Sequence, residues 1–230
     1  MWIDTTYDFR TDANGKDPDS SSITLKQYQQ FLWSKPLPNG GELILDEQLH
    51  NTSEVCDMSF SCDCIINTFE YHSSYQQIVK QVDPALIDEA VHKSYTIGGE
   101  IIFPKYKING KQTINGARGF NRKISDRFDL TLECIRLFYQ GKDSPLFDCF
   151  NRYKDFFALF SSFEGYVDFF LLNDLFNEDG SIRFFHPFQE FGRDVRPLTV
   201  EQYMRFCERN IEFVNLRNAR IDKVYNHLQA

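Results

Sequence analysis

Tyr95-Thr-Ile-Gly-Gly-Glu-Ile-Ile-Phe103 is the most strand-like stretch of the chain, and its surroundings decide the fold class. β-Branched and aromatic residues favour the pleated, half-buried surface of a strand. The glycine pair inside it indicates a bulge or a close approach of another backbone. We therefore expect residues 95–103 to form a central strand.

Other strands and helices are predicted on both sides of this stretch. Residues 58–69 alternate between apolar and polar side chains, as a half-buried strand does, and shorter strands are expected at 42–45 and 181–185. Capping residues, prolines and apolar stripes predict helices at 22–33, 73–81, 84–92, 126–140, 145–176 (broken at Gly165) and from Thr199 onward. Strands lie mainly in the N-terminal half and helices mainly in the C-terminal half, which favours an α+β fold.

Length and composition indicate one globular domain spanning residues 1–230. The 230 residues include 23 Phe, 11 Tyr and 2 Trp, and such rings each bury about 150–250 Å². We therefore expect a single aromatic-rich core. Residues 1–22 are polar and rich in turn-forming residues, so they should pack on this domain or cap it.

Charge and cysteine usage exclude several classes of protein. A net charge of −8 argues against general, non-specific nucleic-acid binding, which needs clustered Lys and Arg. The N-terminus does not resemble a signal peptide, and no apolar run approaches the ~18 residues of a membrane span. The six cysteines include no C-x-x-C pair, and no two histidines have the spacing of a helical metal pair. We expect a cytoplasmic protein with reduced thiols and no metal site; a cofactor cannot be assigned.

The segment 105–127 is the strongest candidate for a binding site. It carries a net charge of +6, whereas the rest of the chain sums to −14. Positive charge, three glycines and a following helix start are the ingredients of an anion site. The side chains expected to bind a phosphate-bearing ligand are Lys105, Lys111, Thr113, Asn115, Arg118, Arg122 and Arg127.

The helix that follows supplies candidate acids and bases. Asp126, Asp129 and Glu133 fall on one polar stripe of an otherwise apolar helix. Carboxylates held beside basic groups can serve in acid–base chemistry, so these three are the candidate catalytic residues. A solvated stripe with a Glu133–Arg136 pair is the alternative.

Two functions remain open from these residues. The first is binding of a nucleotide or RNA through residues 105–127, with phosphodiester or phosphoryl-transfer chemistry in a bacterial toxin or phage-defence setting. The second is a non-catalytic interaction protein, such as an antitoxin, inhibitor or structural partner, that uses the same loop as a docking surface. No strong phosphate-binding motif is present, and two Asn-Gly pairs are also ordinary turn chemistry.

Several phrases together carry a resemblance to a known family. They are Tyr7-Asp-Phe-Arg-Thr-Asp12, Leu32-Trp-Ser-Lys-Pro-Leu-Pro-Asn-Gly40, Thr96-Ile-Gly-Gly, Ile102-Phe-Pro104, Ile114-Asn-Gly-Ala-Arg-Gly119, Asp126-Arg-Phe-Asp-Leu-Thr-Leu-Glu-Cys-Ile-Arg136 and Gly165-Tyr-Val-Asp-Phe-Phe170. With these phrases the chain resembles an uncharacterised bacterial protein family over nearly its whole length. The resemblance implies a bacterial, one-domain protein and supplies no mechanism.

Overall fold

The structure, a computed structural model, describes residues 3–46 and 58–227. In this part of the chain it has a two-stranded sheet, three short 3₁₀ helices and eleven α-helices. The strands are β1 (Phe60–Cys64) and β2 (Glu100–Pro104), and the 3₁₀ helices are Ser73–Tyr75, Ile97–Gly99 and Asn173–Leu175. The α-helices are α1 (Arg10–Ala13), α2 (Pro18–Ser21), α3 (Ile23–Ser34), α4 (Gln76–Val79), α5 (Pro84–Ser94), α6 (Ile114–Phe120), α7 (Phe128–Tyr139), α8 (Phe147–Arg152), α9 (Lys154–Ala158), α10 (Phe163–Phe169) and α11 (Val200–His227).

The sheet is smaller than the sequence predicts. β1 and β2 pair antiparallel, with Phe60 opposite Pro104 and Cys64 opposite Glu100. Each strand therefore lies at an edge, and the prediction of a central strand over 95–103 is wrong. All five residues of β2 are buried, which explains the error, because an apolar run reports burial and not the number of neighbouring strands. The stretches 42–45 and 181–185 also form no strand; Ile182 makes only an isolated bridge to Phe176.

Several predicted helices are present with their predicted caps. The Ser22 hydroxyl accepts a hydrogen bond of 3.0 Å from the amide of Leu25 at the start of α3. Thr199 accepts one of 3.2 Å from the amide of Gln202 at the start of α11. Such bonds satisfy amides that the first helical turn leaves without partners. The helix predicted at 126–140 spans 128–139 as α7, and its side chains Phe128, Leu132 and Ile135 are fully buried in the core.

Two helices, α6 and α10, differ from what the sequence patterns predict. The segment 105–127, which we expected to be a loop, contains α6. This helix begins after Thr113, whose hydroxyl accepts a hydrogen bond from the backbone amide of Gly116. Gly165 lies inside α10 and does not break the helix. A Cβ there would lie 2.1 Å from the carbonyl oxygen of Phe160, so the glycine permits a close backbone approach instead.

The glycine pair in the deciding stretch also permits close packing. A Cβ on Gly99 would lie 2.2 Å from the carbonyl oxygen of Lys93, and one on Gly98 would lie 2.6 Å from the side chain of Asn218 on α11. The buried Arg217 donates hydrogen bonds to the carbonyl oxygens of Gly98 and Glu100 at 2.9 and 2.5 Å. These contacts attach α11 to the start of β2. They agree with the prediction that the glycine pair permits a close approach of another part of the chain.

One cluster of buried apolar residues extends from Ile3 to Tyr225 and is rich in aromatic rings. Trp33 stacks on Phe60 with ring centroids 4.3 Å apart and meets Phe170 edge-on at 5.9 Å. The polar N-terminal segment contacts this body, because the amide of Cys62 donates to the Asp19 carboxylate at 2.9 Å. Aromatic packing thus joins the sheet to α3 and α10.

The cysteines of the described residues are free thiols. They are Cys62, Cys64, Cys134, Cys149 and Cys207. Cys56 lies outside the described residues, so the expectation that no disulfide forms concerns these five alone here. Burial raises the pKa of the Cys134 and Cys207 thiols to about 12, which keeps them protonated at neutral pH.

Candidate functional site

A cavity of about 570 Å³ lies beside the N-terminus of α7. One wall is the turn that links α6 to α7, and the other is the segment that precedes α11. We call it the arginine cavity. Its lining residues are Asn67, Phe69, His72, Gly119, Phe120, Asn121, Arg122, Ser125, Asp126, Gly192, Asp194, Val195, Arg196 and Leu198.

One backbone hydrogen bond joins the two walls, and a second, buried one comes from the 3₁₀ helix Ser73–Tyr75 and holds the segment that precedes α11. The amide of Gly192 donates to the carbonyl oxygen of Lys123 at 3.0 Å. The Tyr75 hydroxyl donates to the carbonyl oxygen of Pro197 at 2.5 Å. The segment that carries Arg196 is therefore fixed relative to the turn that carries Arg122.

Two arginines that line the cavity have no acidic partner among the residues that the structure describes. Arg122 is exposed, Arg196 is half-buried, and neither forms an ion pair with any described residue. The Arg196 guanidinium lies 5.4 Å from the centroid of the Tyr75 ring. Of the two lining acids, Asp194 lies 3.9 Å from Arg193, and Asp126 lies 3.6 Å from Arg118. Arg122 and Arg196 are thus the groups available to an anion.

Asp126 is held in an unusual backbone conformation. Ser125 and Asp126 have φ angles of 49° and 56°, in the left-handed region that few residues other than glycine adopt. The side-chain amide Nδ2 of Asn67 donates to Asp126 Oδ2 at 3.1 Å. Asp126 Oδ1 is buried and has no hydrogen-bond partner. Consecutive strained residues of this kind recur at functional sites.

Arg118 lies behind the cavity wall and not in it. Its side chain is completely buried, donates to Asp63 Oδ2 at 2.5 Å and to the Thr131 hydroxyl at 3.1 Å. Asp63 and Asp126 therefore flank a single guanidinium. Burial raises the pKa of Asp63 to about 6, with Asp126 adding to the increase and Arg118 opposing it.

Arg127 and Asp129 form a fully buried pair that supports the cavity. Arg127 donates to Asp129 Oδ2 at 2.5 Å and to the carbonyl oxygens of Val195 and His186, each at 2.7 Å. Asp129 also accepts a hydrogen bond of 2.8 Å from the amide of Phe185. The guanidinium and the carboxylate thus bind the 185–195 segment to the start of α7, and neither lines the cavity.

The other predicted site residues lie elsewhere. Glu133 is almost buried and forms a two-point pair with Arg136, with distances of 2.6 and 2.8 Å. Asn115 donates to the Ser61 hydroxyl at 3.2 Å, beside β1. Lys105 and Lys111 are exposed and line none of the described cavities, and Thr113 caps α6. Of the ten predicted residues, the structure brings Arg122 and Asp126 together in the arginine cavity.

Sequence patterns did not indicate the rest of the cavity. Phe120 and Leu198 line it and are 79% and 65% exposed. Arg196 and His72 come from segments with no motif, and they meet Arg122 only through the tertiary fold. The one available signal was Phe120 itself, an aromatic residue placed among basic ones, which is typical of nucleic-acid contacts.

Residues 3–46 and 58–227 also bear on metal binding and on membrane crossing. No three His, Cys, Asp or Glu side chains there are grouped so that they could hold a metal ion. None of the helices in this range combines the length and the hydrophobicity that a bilayer crossing requires.

Comparisons with known proteins concern nearly all of the chain. A family model described as a family of unknown function (DUF6994) matches residues 3–221, a range that includes both walls of the arginine cavity. No curated protein sequence and no solved structure matches the chain significantly. This match confirms that the chain resembles an uncharacterised protein family over nearly its whole length. Because the match covers far more than half of its residues, the chain belongs to the family of unknown function DUF6994.

Proposed function

We propose that the arginine cavity binds a nucleotide phosphate, either of a free nucleotide or of an RNA strand. The observation that carries this proposal is that Arg122 and Arg196 line one cavity without carboxylate partners, beside the exposed ring of Phe120. Arginine matches phosphate oxygens with two parallel hydrogen bonds, each strengthened by charge. An aromatic ring can stack on a nucleobase whatever its sequence.

The dimensions of the cavity agree with this ligand class. Small-molecule sites occupy about 300–1,000 Å³, and the arginine cavity measures about 570 Å³. Its two lining acids lie close to other arginines, Asp126 to Arg118 and Asp194 to Arg193, and do not pair with Arg122 or Arg196. A phosphate on Arg122 and Arg196 would leave the base near Phe120 and Leu198.

Asp126 is the candidate catalytic group in this proposal. It is the one residue of the three predicted acids that lines the cavity, and its side chain is partly exposed there. Phosphodiester cleavage needs a base that takes a proton from the attacking hydroxyl or water. His72, on the same cavity, is a second group that can carry a proton.

The biological setting is part of the proposal. The five free thiols agree with a reducing compartment, so we place the activity in a bacterial cytoplasm, in a toxin or phage-defence role. The rival function is that of a docking protein. The exposed side chains of Phe120 and Leu198 favour it as well, because large exposed apolar residues also mark protein interfaces.

Titration calorimetry with AMP, ATP, a single-stranded RNA oligonucleotide and inorganic phosphate tests the proposal. We expect Arg122→Gln and Arg196→Gln each to weaken binding about 10- to 100-fold, since a charge-assisted hydrogen bond contributes about 1.5–3 kcal/mol. Arg205→Gln is the matched control, because Arg205 on α11 is exposed, does not line the cavity and already pairs with Glu201. Binding of none of the four probes, or equal losses in all three variants, would exclude the site.

A further inference from the structure

A second and larger cavity, of about 880 Å³, lies between the C-terminal end of α7 and the segment that includes α10 and the turn after it. It shares no lining residue with the arginine cavity. We call it the aromatic cavity. Aromatic and aliphatic side chains supply the larger part of its surface, and the exposed polar side chains that also line it form what we call its rim.

Three aromatic rings follow one another along its wall. The centroids of Tyr139 and Phe163 are 6.5 Å apart, and those of Phe163 and Phe176 are 5.8 Å apart, with ring planes inclined by 54° and 70°. The Tyr139 hydroxyl donates to the carbonyl oxygen of Phe157 at 2.6 Å. It is therefore already satisfied within the protein, and the cavity receives the hydrocarbon part of the ring.

The rim of this cavity has an excess of negative charge. Glu164, Asp168 and Glu178 line it and are exposed, and none of them forms an ion pair with a described residue. The one lining cation, Arg136, is held by both carboxylate oxygens of Glu133. Arg136 is thus already neutralised and does not offset the three rim acids.

We propose that the aromatic cavity binds a small organic cation of the alkylated-ammonium class. Aromatic faces attract such cations through the quadrupole of the ring, and nearby carboxylates add long-range attraction. A phosphate-bearing ligand would be repelled by the rim acids. A neutral apolar ligand would use the rings but would gain nothing from the three carboxylates, so charge complementarity selects the cation.

The experiment compares choline with 3,3-dimethylbutan-1-ol, in which carbon replaces the quaternary nitrogen. Ligand-observed NMR measures both affinities, which we expect in the millimolar range for so small a probe. Choline should bind about 3- to 30-fold more tightly than the neutral alcohol. Equal binding of the two, or no choline binding in that range, overturns the proposal.

Two variants assign binding to this cavity. Phe176→Leu removes one ring, and the triple variant Glu164→Gln, Asp168→Asn, Glu178→Gln removes the rim charge while leaving the Asp168 position able to accept from Asn173. Each should weaken choline binding several-fold. Glu208→Gln, at an exposed acid of α11 outside the cavity, is the control and should not. Unchanged choline affinity in both test variants overturns the proposal. Arg122→Gln, in the arginine cavity, should leave choline binding unaltered and so distinguishes the two sites.

Discussion

The Arg127 guanidinium donates a hydrogen bond of 2.7 Å to the carbonyl oxygen of Val195, 68 residues further along the chain. Both groups are buried, and Asp129 holds the same guanidinium at 2.5 Å. This contact fixes the segment that carries Arg196 against the start of α7. Two arginines in the segment 105–127 therefore have different roles: Arg127 shapes the arginine cavity and Arg122 lines it.

We expect Arg127→Met to lower the free energy of unfolding by about 3–5 kcal/mol, because it leaves the Asp129 carboxylate buried without its cation. Urea denaturation followed by circular dichroism measures the change. The double variant Arg127→Met, Asp129→Leu should lose less, since no unpaired charge stays in the core. A loss below about 1 kcal/mol in the single variant would show that the pair does not hold the wall.

We expect Arg118→Met to lower the stability of the fold and not to remove a contact with the ligand. The side chain is completely buried between Asp63 and Asp126, so its removal should destabilise the fold by about 3–5 kcal/mol. The segment's charge alone suggested a ligand-binding role for Arg118. Thermal denaturation separates the two roles: an unchanged melting temperature together with lost nucleotide binding would place Arg118 in contact with ligand.

Individual residues show which structural features could be predicted from the sequence and which could not. Local chemistry identified the caps Ser22 and Thr199 and the close approach at Gly98 and Gly99, because each depends on neighbours in the chain or on the missing Cβ. The arginine cavity depends on contacts between distant segments. No local pattern distinguishes Arg122, which has no acidic partner, from Arg127, whose partner Asp129 is buried with it.

Glu100→Gln should change the pH dependence of stability. Glu100 is buried on β2, and burial raises the pKa of its carboxyl well above the usual range, with Asp63 adding to the increase. The folded state then holds a proton that the unfolded state releases above about pH 4.3, so the stability contributed by this group is lost as pH rises. Glutamine has no such proton.

The stability of Glu100→Gln relative to the unsubstituted protein should therefore increase between about pH 5 and about pH 8. Urea denaturation at several pH values measures this difference. Gln112→Asn, at an exposed position that carries no titratable group, provides the control, whose difference should stay flat. A flat difference for Glu100→Gln as well would contradict a protonated carboxyl in the core.

Phe120→Leu tests whether a base stacks at the rim of the arginine cavity. Phe120 is 79% exposed, so its replacement should leave the free energy of unfolding within about 0.5 kcal/mol. Stacking on an aromatic ring contributes about 1–3 kcal/mol per base, which predicts a loss of AMP affinity of about 5- to 150-fold. The affinity for inorganic phosphate should not change, because phosphate contacts only the arginines.

Tyr71→Leu is the matched control for this measurement, since Tyr71 is 93% exposed and does not line the cavity. Calorimetric titration of each variant with AMP and with phosphate gives the four affinities needed. Loss of both ligands in Phe120→Leu would mean that the cavity itself is distorted. Equal AMP affinities in the two variants would show that no base stacks on Phe120. The cavity would then bind its ligand through the phosphate alone, or Phe120 would contact a protein surface.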